Sequence, residues 1–328
     1  MPAAGRGVRL CALLSILIVG ALTATGCGGE ESAGEGEGGN LSIATGGTGG
    51  VYAVYGGGLA DVISEDLGDY KATAETTSAS VDNMKLIANQ DSDIAFTLAD
   101  TAIDAVEGKE SFDEPLPIRA LAQIYTNYTQ IGTTADAGIS SVEDLKGKRV
   151  SLGDPGSGTE VIALRVLEAA GLDPDKDIDR SQLGVEESVA AVKDGSIDAF
   201  FWSGGLPTGA VTDLATTEDL VLVPNAELTG KLRSKYGEAY RETTIPADTY
   251  EGLEDDVPVI GVPNLLVVHE EMDEDLARDL TELLFAQKKR LTNVHPEAKN
   301  LDPQAAQDVV PPVQLHPGAQ RYYEEGGS

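Results

Sequence analysis

Two short segments carry residue types that can hold a ligand without a cationic side chain. Residues 46–50 (GGTGG) and 153–160 (GDPGSGTE) each follow a β-type run and lead into an amphipathic stretch. Thr48, Gly49 and Gly50 in the first, and Ser157, Gly158 and Thr159 in the second, combine minimal side chains with hydroxyls. Glycine leaves backbone N–H groups open, and a helix starting at the same place adds the positive end of its dipole, so each segment can bind an anion. The hydroxyls of Thr48, Ser157 and Thr159 can each donate to a carboxylate. The same glycines would also serve tight turns and nothing more.

Enzymatic uses of these glycines fail on spacing. A dinucleotide fingerprint needs a third glycine where Tyr52 stands, and a phosphate-binding Walker loop needs a lysine where the second segment has Gly158, Thr159 and Glu160. A nucleophile elbow needs glycines two residues either side of Ser157, where Pro155 and Thr159 stand. His269, His295 and His316 lack the paired spacing of a metal site, and no cysteine completes one. Residues 173–179 (DPDKDID) have the odd acid spacing of a calcium loop, yet Ile178 occupies the sharp-turn glycine position and Gly184 the bidentate carboxylate, so a solvated loop suits them better. Nothing sets apart a catalytic triad or an acid–base carboxylate pair, and no cofactor or metal is called for.

Aromatic residues are scarce, so their positions carry weight. Tyr52 and Tyr55 follow the first glycine segment, Tyr125 and Tyr128 lie near the middle of a long β run, and Trp202, the one tryptophan, ends another. An apolar face with a polar tip suits a cleft that is wet when open and dry when closed, although ordinary packing would use each ring equally well. Thr97 and Asp100 fall at a further strand end, where a polar pair serves as a helix cap as readily as a ligand group.

These residues need elements to position them. Short β runs at 40–45, 71–77 and 93–98 alternate with helical patterns at 51–67 and from Ser80, read as a cap, to Asn89; Asp100 stands where a third helix begins. A second series starts with a β run at 116–125 extending into 129–134. It continues through a short capped helix at 140–145, β runs at 148–152 and 196–202, and helices at 161–170 and 187–193. Such alternation predicts an α/β fold with mainly parallel sheets covered on both faces, here as two lobes. In open sheets ligands bind beyond the carboxyl ends of the strands, where both glycine segments fall. A long apolar strand at 257–269, followed by a helix at 274–291, carries the chain back to the first lobe.

The N-terminus predicts destination. Arg6 and Arg9 precede an apolar run from residue 10 to 22, and the sequence Ala24, Thr25, Gly26, Cys27 ends it. This is the pattern of an export signal (1–26) closed by a lipidation motif, with Cys27 taking the acyl chains; a run this short is not a membrane span. Residues 27–39 form an acidic, glycine-rich tether. Cys11 departs with the signal, so the folded region has no disulfide to rely on. The whole chain carries 23 basic and 55 acidic side chains; without Arg6 and Arg9 the balance is 21 against 55. A surface this acidic excludes nucleic acid as a partner, and an anionic ligand must be attracted locally, against the global field.

Residues 43–52 (IATGGTGGVY), 80–88 (SVDNMKLIA), 93–96 (DIAF), 145–150 (LKGKRV), 156–160 (GSGTE), 195–201 (GSIDAFF) and 315–323 (LHPGAQRYY), in that order across 40–324, resemble the TAXI solute-binding subunits of tripartite ATP-independent periplasmic (TRAP) transporters. The resemblance implies a type II periplasmic-binding fold with two crossing strands. Lobe 1 would comprise 40–128 plus 258–328 and lobe 2 would comprise 129–257. Its implied function is to capture a small anionic or zwitterionic carboxylate, such as glutamate, a dicarboxylate or a 2-oxo acid, and to hand it to membrane permease subunits. By motif position it directs Thr48, Gly50, Tyr52, Ser80, Thr97 and Asp100 from one lobe toward the solute, and Gly49 of the glycine segment and the aromatic Tyr125 are further candidates on that side. Ser157, Gly158, Thr159, Trp202, Ser203 and Gly204 would meet it from the other. Relatives often carry Gln-Ser-Asp where this chain has 97–100 (TLAD), and no arginine lies in either glycine segment. A receptor for an ATP-driven importer or sensor, or an exported enzyme acting on a small acid, are the alternatives.

Overall fold

The computed structural model describes residues 38–327. The export signal, Cys27 and the tether up to residue 37 lie outside the described residues. From residue 40, β1 (Asn40–Ala44), α1 (Val51–Asp66), β2 (Lys71–Glu75), α2 (Ser80–Ala88), β3 (Ile94–Leu98) and α3 (Ala99–Glu107) alternate as the periodicity predicts. β4 (Ile118–Thr134) is one unbroken strand. The second series comprises β5 (Arg149–Ser151), α4 (Gly158–Ala169), β6 (Asp179–Ser181), α5 (Val185–Lys193), β7 (Ala199–Gly204), α6 (Gly209–Thr217), β8 (Leu220–Leu222), α7 (Thr229–Tyr236) and β9 (Arg241–Ile245). After β10 (Val257–His269) come α8 (Glu274–Ala286), α9 (Lys288–Val294), α10 (Pro303–Ala306) and α11 (Pro317–Glu324).

The strand order is β2-β1-β3-β10-β4-β7-β5-β6, with β8 on β4 and β9 on β10. β1 pairs in parallel with β2 and β3, and β5 in parallel with β6 and β7. Parallel neighbours need helical crossovers, which is why helices cover both faces. Every antiparallel pairing involves β4 or β10, and these two strands make the two lobes. The end of β10 pairs with β3 through Asn264 to Val268, whereas its start pairs with β9 through Val257 to Gly261. β4 pairs with β7 from Tyr128 onward. Between these stretches β4 and β10 run side by side, Gly261 opposite Tyr128 and Asn264 opposite Tyr125, with a register shift directly after Asn264. The two strands thus cross from lobe to lobe at one place.

Apolar side chains fill three clusters. Leu59, Ile63 and Phe96 pack with Leu280 and Leu284 on one face of the first lobe, and Val189, Phe200, Val211 and Val259 pack on the second. The third runs between lobes, joining Met84 and Leu98 to Ile162 and Val166. Two local expectations change. Ser80 is the first residue of α2 rather than its cap, because Ala79 at φ 75° makes the turn; the Ser80 hydroxyl instead accepts the Leu98 N–H at 3.2 Å and ties α2 to β3. The helix expected over 274–291 breaks at Gln287, whose φ −103° and ψ 14° end α8 and start α9. No helix among the described residues is long and apolar enough to cross a membrane.

Candidate ligand-binding site

Between the lobes lies a cavity of about 260 Å³. Thr48, Gly49, Gly50, Tyr52, Ser80 and Tyr125 line it from one lobe, and Ser157, Gly158, Thr159, Trp202, Ser203 and Gly204 from the other. The volume is at the small end for ligand pockets, fitting a solute with few heavy atoms.

Thr97 and Asp100 lie outside this lining. Thr97 is fully buried in β3 and its hydroxyl donates to the Leu98 carbonyl at 3.3 Å. The Asp100 carboxylate is turned away from the cavity, accepting from the Tyr240 hydroxyl at 2.7 Å and standing 3.6 Å from Arg165 Nη1. The cause is charge. Arg165 is buried on α4, donates to Asp104 Oδ2 at 2.5 Å and to the Tyr240 hydroxyl at 2.8 Å, and requires carboxylates around it. A ligand role for Asp100 is thereby replaced by a bond between α3 and α4, across the lobes.

Four helices begin at the cavity. α1 starts after Gly50, α2 after Ala79, α4 after Ser157 and α5 after Gly184, and all four of these residues line it. Ser157 caps α4 by accepting the Glu160 N–H at 3.1 Å. In α2 the Val81 and Asp82 N–H groups donate to the Gly156 carbonyl of the opposite lobe at 3.1 and 3.3 Å. α1 and α5 have no side-chain cap, so their first-turn amides are offered to whatever enters.

A buried relay joins the walls through the crossing strands. The Tyr52 hydroxyl donates to Asn264 Oδ1, and Asn264 Nδ2 donates to Asn127 Oδ1 at 2.7 Å. Asn127 Nδ2 donates to the Ser203 carbonyl at 2.9 Å, and the Ser203 N–H donates to Thr159 Oγ1 at 3.1 Å. Tyr52, Asn127, Ser203 and Thr159 all line the cavity. Sequence reasoning missed Asn127 and Asn264. The available signal was an asparagine, a poor strand former, inside two long β runs.

The lobes are in contact. A Cβ on Gly158 would stand 2.5 Å from Leu98 Cδ1 and 2.7 Å from Ser80 Oγ, and one on Gly50 would stand 3.1 Å from the Trp202 ring. Thr48 Oγ1 donates to Glu186 Oε2 at 3.3 Å, again across the cleft. Three carboxylates line the cavity, Asp154, Glu186 and Glu187, and no lysine, arginine or histidine does so among the described residues. Burial, then the charge of Glu187, raises the Asp154 pKa above the usual carboxylate range. The Tyr125 hydroxyl is buried without a hydrogen-bond partner among the described residues, and burial drives its pKa well up. No cluster of His, Cys, Asp or Glu suited to a metal occurs among the described residues.

A sequence model of the NMT1-like family matches residues 43–327. The chain belongs to the NMT1-like family. Solved structures of similar fold include the binding-protein component of an ABC phosphonate transporter from Pseudomonas aeruginosa, at 15% identity over 79% of this NMT1-like chain and 78% of that one, with TM-score 0.53. PhnD1 from Prochlorococcus marinus in complex with methylphosphonate matches at 11% identity, covering 79% and 90%, with TM-score 0.53. A Xanthomonas citri protein bound to ATP matches at 13% identity, covering 87% and 98%, with TM-score 0.52. At these identities the likeness is one of fold. The NMT1-like chain shares the two-lobed, mixed α/β architecture of periplasmic binding proteins.

Proposed function

We infer that this chain is an exported, lipid-anchored solute-binding protein. It captures a small carboxylate-bearing solute between lobes 40–128 plus 258–328 and 129–257, then delivers it to a membrane transporter. The observation that carries this reading is the convergence of both glycine segments and four helix starts on one small interlobe cavity. Helix N-termini and hydroxyls bind a carboxylate without a cation. Hinge closure about β4 and β10 would bury it. The Ser157 hydroxyl caps its own helix by accepting the Glu160 N–H.

The motifs shared with TAXI subunits favour a TRAP-type permease as the receiving partner, with Cys27 holding the receptor at the outer face of the membrane and raising its local concentration. The Pseudomonas aeruginosa neighbour, a component of an ABC phosphonate transporter, favours the second reading, a receptor for an ATP-driven importer. Calorimetric and thermal-shift titration of the full chain with amino acids, dicarboxylates and 2-oxo acids tests the function. Saturable binding with the ligand recovered unchanged is the expected result, and turnover of the bound molecule would replace the binding reading with an enzymatic one. Co-purification with a TRAP permease rather than with an ATPase-coupled one separates the two transporter readings.

A further inference from the structure

We propose that the solute carries a protonated amine and no net negative charge, its nitrogen seated against the Asp154 carboxylate. This rests on the solute-binding reading and narrows the class of carboxylate that the cavity accepts. Asp154 is half-buried near the start of the second glycine segment. Its carboxylate stands between the lobes: Oδ2 lies 3.0 Å from the Cβ position of Gly184, at the start of α5, and 3.9 Å from that of Gly47 in the opposite loop. Among the described residues it accepts no hydrogen bond and has no cation within ion-pair distance.

The start of α5 eases only part of the cost of a partly desolvated carboxylate that has no hydrogen-bond donor or cation beside it, and an ammonium group on the solute removes the rest. Glu186 and Glu187 at the mouth add negative charge of the same sign, although both are exposed and screened by solvent. The starts of α1, α2 and α4 provide the complementary end. Each contributes about half a positive charge, enough to hold one carboxylate. The Tyr125 hydroxyl, 3% exposed and unpartnered on the cavity wall, offers the solute one more hydrogen bond. A zwitterion satisfies both ends at once. A dicarboxylate or 2-oxo acid satisfies the helix starts and leaves Asp154 facing a further acceptor.

The test is calorimetry on the full chain with matched pairs that share a carbon skeleton and differ in the amine: L-alanine and pyruvate, L-leucine and 4-methyl-2-oxopentanoate, L-glutamate and 2-oxoglutarate, with L-glutamine and L-lysine alongside. The best-binding amino acid is expected to exceed its 2-oxo partner by about ten-fold or more, and L-glutamine or L-lysine to exceed L-glutamate. Asp154→Asn is expected to lower amino-acid affinity by about ten-fold and to reduce the preference over the 2-oxo partner. A 2-oxo acid or L-glutamate binding as tightly as the best amine-bearing ligand overturns the charge assignment and leaves the solute-binding function standing. Heat of binding from none of these compounds overturns both. The ratio within each pair is read in the unsubstituted chain, so the test does not depend on how the variant folds.

Discussion

At Arg165 one buried guanidinium meets two carboxylates, Asp100 and Asp104, and the Tyr240 hydroxyl. Two negative groups for one positive leave an excess. Burial, opposed by the pull of Arg165 and helped by the charge of Asp100, pushes Asp104 from 3.8 up to about 6. The folded protein then holds that proton more tightly than the unfolded chain does. Its contribution to stability is fully present below 3.8 and is lost as pH rises through about 6. The melting midpoint of the native chain minus that of Asp104→Asn should therefore fall between about pH 4 and about pH 7.5, and a flat difference would contradict this account. Tyr52→Phe tests the relay. It leaves Asn264 Oδ1 buried without its donor, a loss of about 1–3 kcal/mol in denaturant unfolding. An unchanged unfolding midpoint would mean that the hydroxyl contributes nothing there.

The starts of α4 and α2 meet at Gly158, and closure depends on that residue having no side chain. Gly158→Ala brings a methyl to 2.5 Å from Leu98 Cδ1 and 2.7 Å from Ser80 Oγ, atoms of the opposite lobe. Within α4 alanine is the better helix former. Each lobe should therefore fold normally while the cleft fails to shut, which predicts about ten-fold weaker solute binding and a larger radius of gyration by solution scattering. Tight binding and an unchanged radius would show that the contact is not needed. The glycine segments, the alternation of strands and helices and the return of β10 were legible in sequence, because turn chemistry and hydrophobic period are local. The partnership of Asn127 with Asn264 was not, since it joins residues 137 positions apart through a register that shifts directly after Asn264. Asp100 misled for the same reason: its partner Arg165 lies on a helix of the other lobe, and no local pattern connects them. Asp154 was in view within its glycine segment, but its isolation emerges only once the Gly47 and Gly184 backbones surround it.

Over the whole molecule, a formal charge of −32 opposes compaction. The ion pairs on the surface, such as Lys109 with Glu107 or Arg233 with Glu238, are exposed and contribute little. Screening should therefore relieve more repulsion than it removes attraction. Raising sodium chloride from about 0.05 M to about 0.5 M is expected to raise the calorimetric unfolding midpoint, and a fall would show that the pairs outweigh the net charge. The cleft also contains the chain's only tryptophan. Trp202 anchors its indole N–H on Thr208 Oγ1 at 2.9 Å in one lobe and presses its ring edge toward Gly50 of the other. Light emitted by this protein under ultraviolet excitation at the red edge of tyrosine absorption thus comes from one indole, at the seam that opens and shuts. The native molecule carries its own optical gauge of occupancy, readable in milliseconds and without a label.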